Sequence, residues 1–335
     1  MSIDERIYRD LEMEGRCLYL SRKDVEGLGI TMGEVISFVE EAFHEKGRGE
    51  VEMPPKPGIH TREDAFIHAM PAFIPKLGAA GVKWVSGYPE NYQYNLPYIT
   101  GLLILNSPKT GVPLAVMDCT WITEVRTAAA TGVSAKYLAR KDSRVVAIIG
   151  CGVQGRSNLR ALSTIRKIEL VKAYDTNDNA LANYAQEMGE SLGLEVQPTV
   201  SPQEAVVGAD IIVTATPILK EPQPVIEEDW LKEGFLGVPL DFDSYWKPEA
   251  LGFTDKFYVD DREQFEYYRK VGYFQQTPPV YGDLGEVVSG NRPGREGDEE
   301  RIISMNLGLA IEDMATAIEI FKRALERDTG EILEL

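Results

Sequence analysis

Cysteine and histidine are scarce, with three of each among 335 residues. Cys17, Cys119 and Cys151 lie far apart and form no C-x-x-C pair, so neither a disulfide framework nor a zinc site is indicated. They read as small buried residues. No apolar run reaches the roughly 18 residues of a bilayer span, and the opening MSIDERIYRD is too charged for a secretory signal. The expectation is a cytoplasmic protein with no metal centre and no membrane segment. Basic residues are also in deficit, 35 Lys and Arg against 53 Asp and Glu, for a formal charge of -18. Phosphate contact calls for basic surface, so no nucleic-acid partner is expected. A nucleotide held locally by backbone amides is not excluded by that balance.

With 44% hydrophobic residues the chain has enough apolar surface for a sizeable core and two domains. Two textures divide it. From Val145 to Asp261, apolar segments such as VVAIIG, IELVKAYD, DIIVTATP, GFLGVPLD and KFYVDD alternate with helical ones, the pattern of a parallel sheet wound by helices. Before that stretch come the strand CLYLS, the helix MGEVISFVEEAFHEKG, and the strands AFIHAMPAFI, AGVKWVSGY, YITGLLILN and VPLAVMDC. Short polar turns between them, SPKTG for one, predict antiparallel pairing. A helix from Ile122 to Ala139 links the regions, and NLGLAIEDMATAIEIFKRALER has helical periodicity and returns to the first domain. The expected fold class is α/β: residues 124–311 as a dinucleotide-binding domain, with residues 1–123 and 312–335 as an α+β substrate-binding and dimerisation domain built on an antiparallel sheet.

The stretch VVAIIGCGVQGRSNL carries Gly150, Gly152 and Gly155 in G-x-G-x-x-G spacing between a strand and a helix. The first glycine permits a tight turn, the second lets backbone approach a pyrophosphate, and the third lets helix and strand pack closely. Gly150, Gly152, Val153, Gln154 and Gly155 form the expected cradle, with the helix start offering free N–H groups to the anion. The same spacing also serves plain strand–helix packing, so the next strand is the test. ELVKAYD ends in Asp175, 20 residues after Gly155 (175 minus 155), where a Rossmann fold places an acid on the adenosine ribose. An aspartate also ends strands simply as a turn former. A carboxylate there repels a 2′-phosphate, and Thr176 and Asn177 supply no arginine, so NAD is favoured over NADP. Thr214, Ala215 and Thr216, at the end of DIIVTATP, are expected to line the cofactor's inner half.

Residues 81–140, with their G-V-K, L-P, T-G-x-P-L-A and R-T-A-A-A segments, and VYGDLGEVVSGNRPGR near the end, resemble the ornithine cyclodeaminase and mu-crystallin family. The likeness runs in colinear order from Met53 to Ala315. It implies a homodimer whose N-terminal sheets pair, a Rossmann domain for the dinucleotide, and hydride chemistry at the α-carbon of an amino or imino acid. It also implies that Lys83 and Arg126 grip the substrate carboxylate, where arginine's planar fork suits two oxygens. Lys56, in EMPPKPGIH, stands where many members have an arginine, keeping the charge without the fork. Asp243, four residues before Lys247, aligns with the catalytic aspartate and would take the amine proton while hydride leaves. Asp241 is its rival if the loop register slips by two. Read without the family, Lys83 is equally an edge-strand charge and Arg126 a helix surface cation.

Trp84 and Trp121 lie beside the two cations in sequence and either narrow the substrate pocket or fill a dimer core. Retention of Lys83, Arg126 and Asp243 favours an enzyme over a crystallin-like binding protein. The leading expectation is cyclodeamination of ornithine to proline and ammonia. The alternative is a simpler imine reductase or amino-acid dehydrogenase.

Overall fold

The computed structural model describes residue 11, residues 15–219 and residues 221–335. Strand β1 (Arg16–Leu20) leads into helix α1 (Arg22–Gly27), followed by α2 (Met32–Gly47). Both helices start on capping boxes, Ser21 with Asp24 and Thr31 with Glu34, in which side chain and backbone satisfy each other's free donors. A short β2 (Gly58–Ile59) precedes three long strands, β3 (Phe66–Ile74), β4 (Ala79–Gly87) and β5 (Ile99–Asn106), then β6 (Pro113–Asp118). Helix α3 (Thr120–Leu138) starts two residues before the expected Ile122, which puts Arg126 in its second turn.

The next stretch is a doubly wound parallel sheet: β7 (Val145–Ile149), α4 (Val153–Ile165), β8 (Leu170–Tyr174), α5 (Asp178–Leu192), β9 (Glu195–Pro198), α6 (Pro202–Val206), β10 (Ile211–Thr214) and β11 (Leu236–Pro239). It continues through α7 (Pro248–Gly252), β12 (Lys256–Val259), α8 (Arg262–Lys270), β13 (Gly282–Asp283), α9 (Leu284–Val288) and β14 (Ile302–Met305). The strand order is β13-β12-β14-β11-β10-β7-β8-β9 with every pair parallel. Buried on both faces, its strands read as near-continuous apolar runs such as VVAII and IIVT. The order reverses at β7, whose neighbours are β8 on one side and β10 on the other, and ligands of such sheets bind at the carboxyl ends of that switch point.

The chain then returns as α10 (Ala310–Glu326) and β15 (Glu331–Glu334) to complete the first sheet, ordered β15-β1-β6-β5-β4-β3-β2. All its pairs are antiparallel except β1 with β6, which the long excursion through α1, α2 and the hairpins brings back in the same direction. Alternation sorts the two faces. Met70, Lys83 and Leu103 face inward beneath α10, with buried Met117 beside Leu103 on β6, while Trp84 and Leu102 point outward, 47% and 46% exposed. Two units result, Met1–Arg126 with Leu309–Leu335, and Thr127–Gly308. The first is an α+β unit on a mostly antiparallel sheet, the second a Rossmann-type unit.

Candidate active site

In the second unit the glycine turn follows β7. Gly150 sits at φ +97, and a Cβ there would lie 2.5 Å from the Ala215 carbonyl oxygen just past β10. A Cβ on Gly155 would lie 2.2 Å from the Gly150 oxygen. Conformation and close approach both demand glycine at Gly150, and close approach alone demands it at Gly155. Gly152 differs, because a Cβ there meets nothing within 4 Å. It is the N-cap of α4 and makes no side-chain cap, so the first-turn N–H groups lack the partner that most helices supply. Exposed Val153 and half-buried Gln154 begin that turn. A phosphate needs the space that Gly152 leaves and the donors that α4 leaves, so the cradle fits a pyrophosphate.

Asp175 follows β8, and its carboxylate is fixed across the turn. Oδ2 accepts from the Cys151 N–H at 2.8 Å, and Oδ1 from the Asn177 N–H at 2.8 Å. Beside it opens a cleft of about 310 Å³ walled by Tyr174, Asp175, Asp178, Leu181 and Pro198. Two carboxylates among apolar side chains in its lining suit an adenosine without a 2′-phosphate. The sequence reading missed Tyr174, Leu181 and Pro198. The available signal was the neighbouring ends of β8 and β9, visible once their pairing is known.

The same unit separates the two rival aspartates. Phe242, between them, sits at φ +61 with its ring packed against Tyr268, Tyr273 and Phe274 at centroid distances of 5.3, 5.5 and 4.9 Å. A left-handed residue other than glycine costs about 1–2 kcal/mol, so packing holds this bend. Asp241 turns inward and is wholly buried. Its Oδ1 accepts from Thr214 Oγ1 at 2.6 Å, and its Oδ2 from Thr216 N at 3.1 Å and Thr216 Oγ1 at 2.5 Å. Trp246 Nε1 donates to Thr214 Oγ1 at 3.1 Å. Burial pushes the Asp241 carboxyl up to about 6 against these bonds. Asp243 is half-buried, and burial raises its carboxyl too, opposed by backbone N–H groups including that of Phe274. Thr214 and Thr216 thus tie the end of β10 to Asp241, and Asp243 is the one turned toward solvent.

In the first unit, Lys83 lies mid-sheet on β4, fully buried, so it is no edge-strand charge. Its Nζ donates to Asp313 Oδ1 at 2.7 Å and to Thr123 Oγ1 at 3.2 Å. Arg126 is 6% exposed, donates from Nη1 to Glu312 Oε2 at 2.9 Å, and places Nε 3.1 Å from Asp313 Oδ1. Buried cations are tolerated only when paired and hydrogen-bonded, and α10 supplies the counter-charges. Burial and the Arg126 charge push the Lys83 ammonium down, while Asp313 opposes them; burial raises the Glu312 carboxyl. Lys56 is buried as well and, with Lys83, acts on His68, whose imidazole burial and these charges push down to about 3. His68 packs over Gly58, where a Cβ would come 2.2 Å from its ring, and stacks on Phe66 at 4.3 Å. Lys56, Lys83 and Arg126 thus gather in one unit, and the glycine turn, Asp175, Thr214 to Thr216 and the two aspartates in the other. His68, Glu312 and Asp313 were not singled out from sequence, although a histidine at an inward position of FIHAMPAFI was a legible signal. Trp84 faces away from Lys83 on the outer side of β4, half exposed.

Known proteins resemble the chain throughout. An alanine dehydrogenase of Archaeoglobus fulgidus is 39% identical over 93% of this chain and 97% of its own. The solved Δ1-pyrroline-2-carboxylate reductase of Thermococcus litoralis, in complex with NADH and L-proline, is 37% identical with a TM-score of 0.86, covering 94% of this chain and 99% of its own. An archaeal alanine dehydrogenase dimer with bound NAD is 36% identical with a TM-score of 0.85 over 96% of this chain and 99% of its own. The sequence profile of one family matches residues 17–328, and the chain belongs to it: the ornithine cyclodeaminase/mu-crystallin family.

Proposed function

We propose that the protein transfers a hydride between NAD and the α-carbon of a small amino or imino acid. The observation that carries this reading is the glycine turn, closed by backbone at Gly150 and Gly155 and open only at Gly152, above an uncapped helix start. Bound there, NAD supplies the hydride acceptor or, reduced, the donor. Gly150 to Gly155 and Asp175 hold the dinucleotide, and Ala215 and Thr216 line its inner half, while Thr214, expected there too, is buried behind them against Asp241. Lys83 and Arg126, with Lys56, hold the substrate carboxylate, and Asp243 takes the amine proton as the α-carbon is oxidised and returns it in reduction. The first unit is the substrate-binding and dimerisation domain, and the second the cofactor domain.

Plain dehydrogenation or imine reduction is the reaction that the relatives at 36–39% identity favour, since they are named for it. Cyclodeamination of ornithine starts with the same oxidation and is the second reading, carried by the family. A panel of amino acids with NAD, and of 2-oxo acids with ammonia or cyclic imines with NADH, separates them. Net change in NADH absorbance marks a dehydrogenase or reductase, and proline plus ammonia without net NADH marks cyclodeamination. No turnover with any member of the panel overturns both. In fluorescence titration NADH binds at least about tenfold more tightly than NADPH, roughly 1.4 kcal/mol, because Asp175 and Asp178 repel a 2′-phosphate. Equal affinities remove Asp175 from that role.

A further inference from the structure

Glu312 and Asp313 stand side by side in the first turn of α10, and both are fully buried. Acidic residues in a first helical turn ordinarily sit in solvent, where the helix dipole favours them. These two face the sheet, because α10 packs on β3, β4 and β5. One oxygen, Asp313 Oδ1, lies 2.7 Å from Lys83 Nζ and 3.1 Å from Arg126 Nε. Glu312 holds the far side of the same guanidinium, and Thr123, three residues before Arg126 on α3, accepts the second Lys83 bond. Three elements therefore converge on a quartet of two cations and two carboxylates.

We infer that Asp313 is a positioning residue for hydride transfer: its single bridging oxygen keeps the Lys83 ammonium and the Arg126 guanidinium side by side so that both can grip one substrate carboxylate. The inference rests on the proposed reaction at this site. Two cations brought this close in a buried place repel each other, and without a counter-charge the lysine would withdraw or give up its proton to relieve it. The groups facing Lys83 are Arg126 and Thr123 on α3, Cys119 just before it, Asp313 with Glu312 on α10, and Met70 on β3 with His68 two residues along that strand. Burial holds the Cys119 thiol up at about 11, so it remains protonated. Asp313 is then the anion in direct contact with the ammonium. Removing it leaves burial and Arg126 less opposed, both of which push Lys83 down. A cation is present below its pKa and lost as pH rises through it, so the loss moves to lower pH.

The test is Asp313→Asn in the full-length chain saturated with NAD, read on the best substrate of the panel across pH. NADH affinity stays within about twofold, while kcat/KM falls by about 100-fold, mostly through KM, the signature of lost ground-state grip. The alkaline limb of the kcat/KM profile moves down by about one pH unit or more, and Asp313→Glu restores its position. A purely structural role lowers the melting temperature and the active fraction but leaves the limb and the split between KM and kcat alone, and that result overturns the inference. Should Asp313→Asn fail to fold, Thr123→Val removes the other Lys83 acceptor and moves the limb the same way by less; an unmoved limb there overturns it too. A wild-type chain inert on the whole panel fails the hydride-transfer reading first, and the positioning role falls with it.

Discussion

At the scale of single residues, the two aspartates two positions apart show how one dihedral divides two roles. Phe242 at φ +61 sends Asp241 into the protein, where three donors fill its oxygens, and leaves Asp243 half in solvent. If Asp243 moves the proton, Asp243→Asn lowers kcat by about 10² or more while NADH affinity holds, the usual contribution of a positioned acid-base group. The sign of its pH dependence follows. The carboxylate must be ionised to accept the amine proton and burial raises its pKa, so wild-type oxidation fails as pH falls through that raised value. The variant loses this acid limb. Asp241→Asn instead disturbs the Thr214 and Thr216 ties and lowers stability by about 1–3 kcal/mol, with the smaller effect on kcat. A larger kcat loss in Asp241→Asn at unchanged melting temperature exchanges the two roles. The sequence could not choose between them, because the bend that separates them is held by Tyr268, Tyr273 and Phe274, some thirty residues away.

At the scale of elements, the three glycines of one turn predict two different outcomes. Gly155→Ala drives a Cβ to 2.2 Å from backbone that cannot move freely, and Gly150→Ala adds a left-handed φ to a 2.5 Å approach. Each lowers the melting temperature, at a cost of about 1–3 kcal/mol, and weakens NADH as a consequence. Gly152→Ala meets nothing, so stability is unchanged while NADH affinity falls at least about tenfold, because the methyl takes the phosphate's place. Thermal melts with and without NADH check all three, and a Gly152→Ala chain that binds NADH normally removes the turn from the cofactor site. That turn was legible because its chemistry is local: a strand, three glycines, a helix and an acid at fixed spacing. Helix α2 was legible to the residue for the same reason, its capping box and apolar periodicity lying within 17 residues of Thr31. Strand β14 and helices α8 and α9 were not marked out, being four, nine and five residues long, with too few turns or alternations to show a period. The Glu312–Arg126 and Asp313–Lys83 pairs span 186 and 230 residues, and no pattern within one helix announces a partner that distant.

For the whole molecule, the fold class and the family were legible, and the state of assembly is the proposal that belongs to this scale. The outer face of the first sheet places Trp84 directly opposite Leu102, 47% and 46% exposed, with Tyr92, Tyr94 and Leu96 exposed beyond the end of β4. A second copy covering this face accounts for that apolar surface. It does so against charge, because each chain carries -18 and a dimer carries twice that, -36. The attraction must therefore come from burial. Hiding the exposed half of a tryptophan removes about 100 Å² from water, worth about 2.5 kcal/mol, and two-fold symmetry applies any substitution twice. Trp84→Asp thus costs about 5 kcal/mol of dimer stability, more than 10³-fold in the dissociation constant by the same scale. Sedimentation velocity is expected to show the wild-type chain at twice 37.3 kDa and the variant as a monomer whose NADH affinity is unaltered. Salt gives an independent sign: screening the mutual repulsion of two acidic chains tightens the dimer as ionic strength rises. A dimer that loosens in salt is held by ion pairs rather than by the Trp84 and Leu102 face, and a wild-type monomer at micromolar concentration leaves that face to another partner.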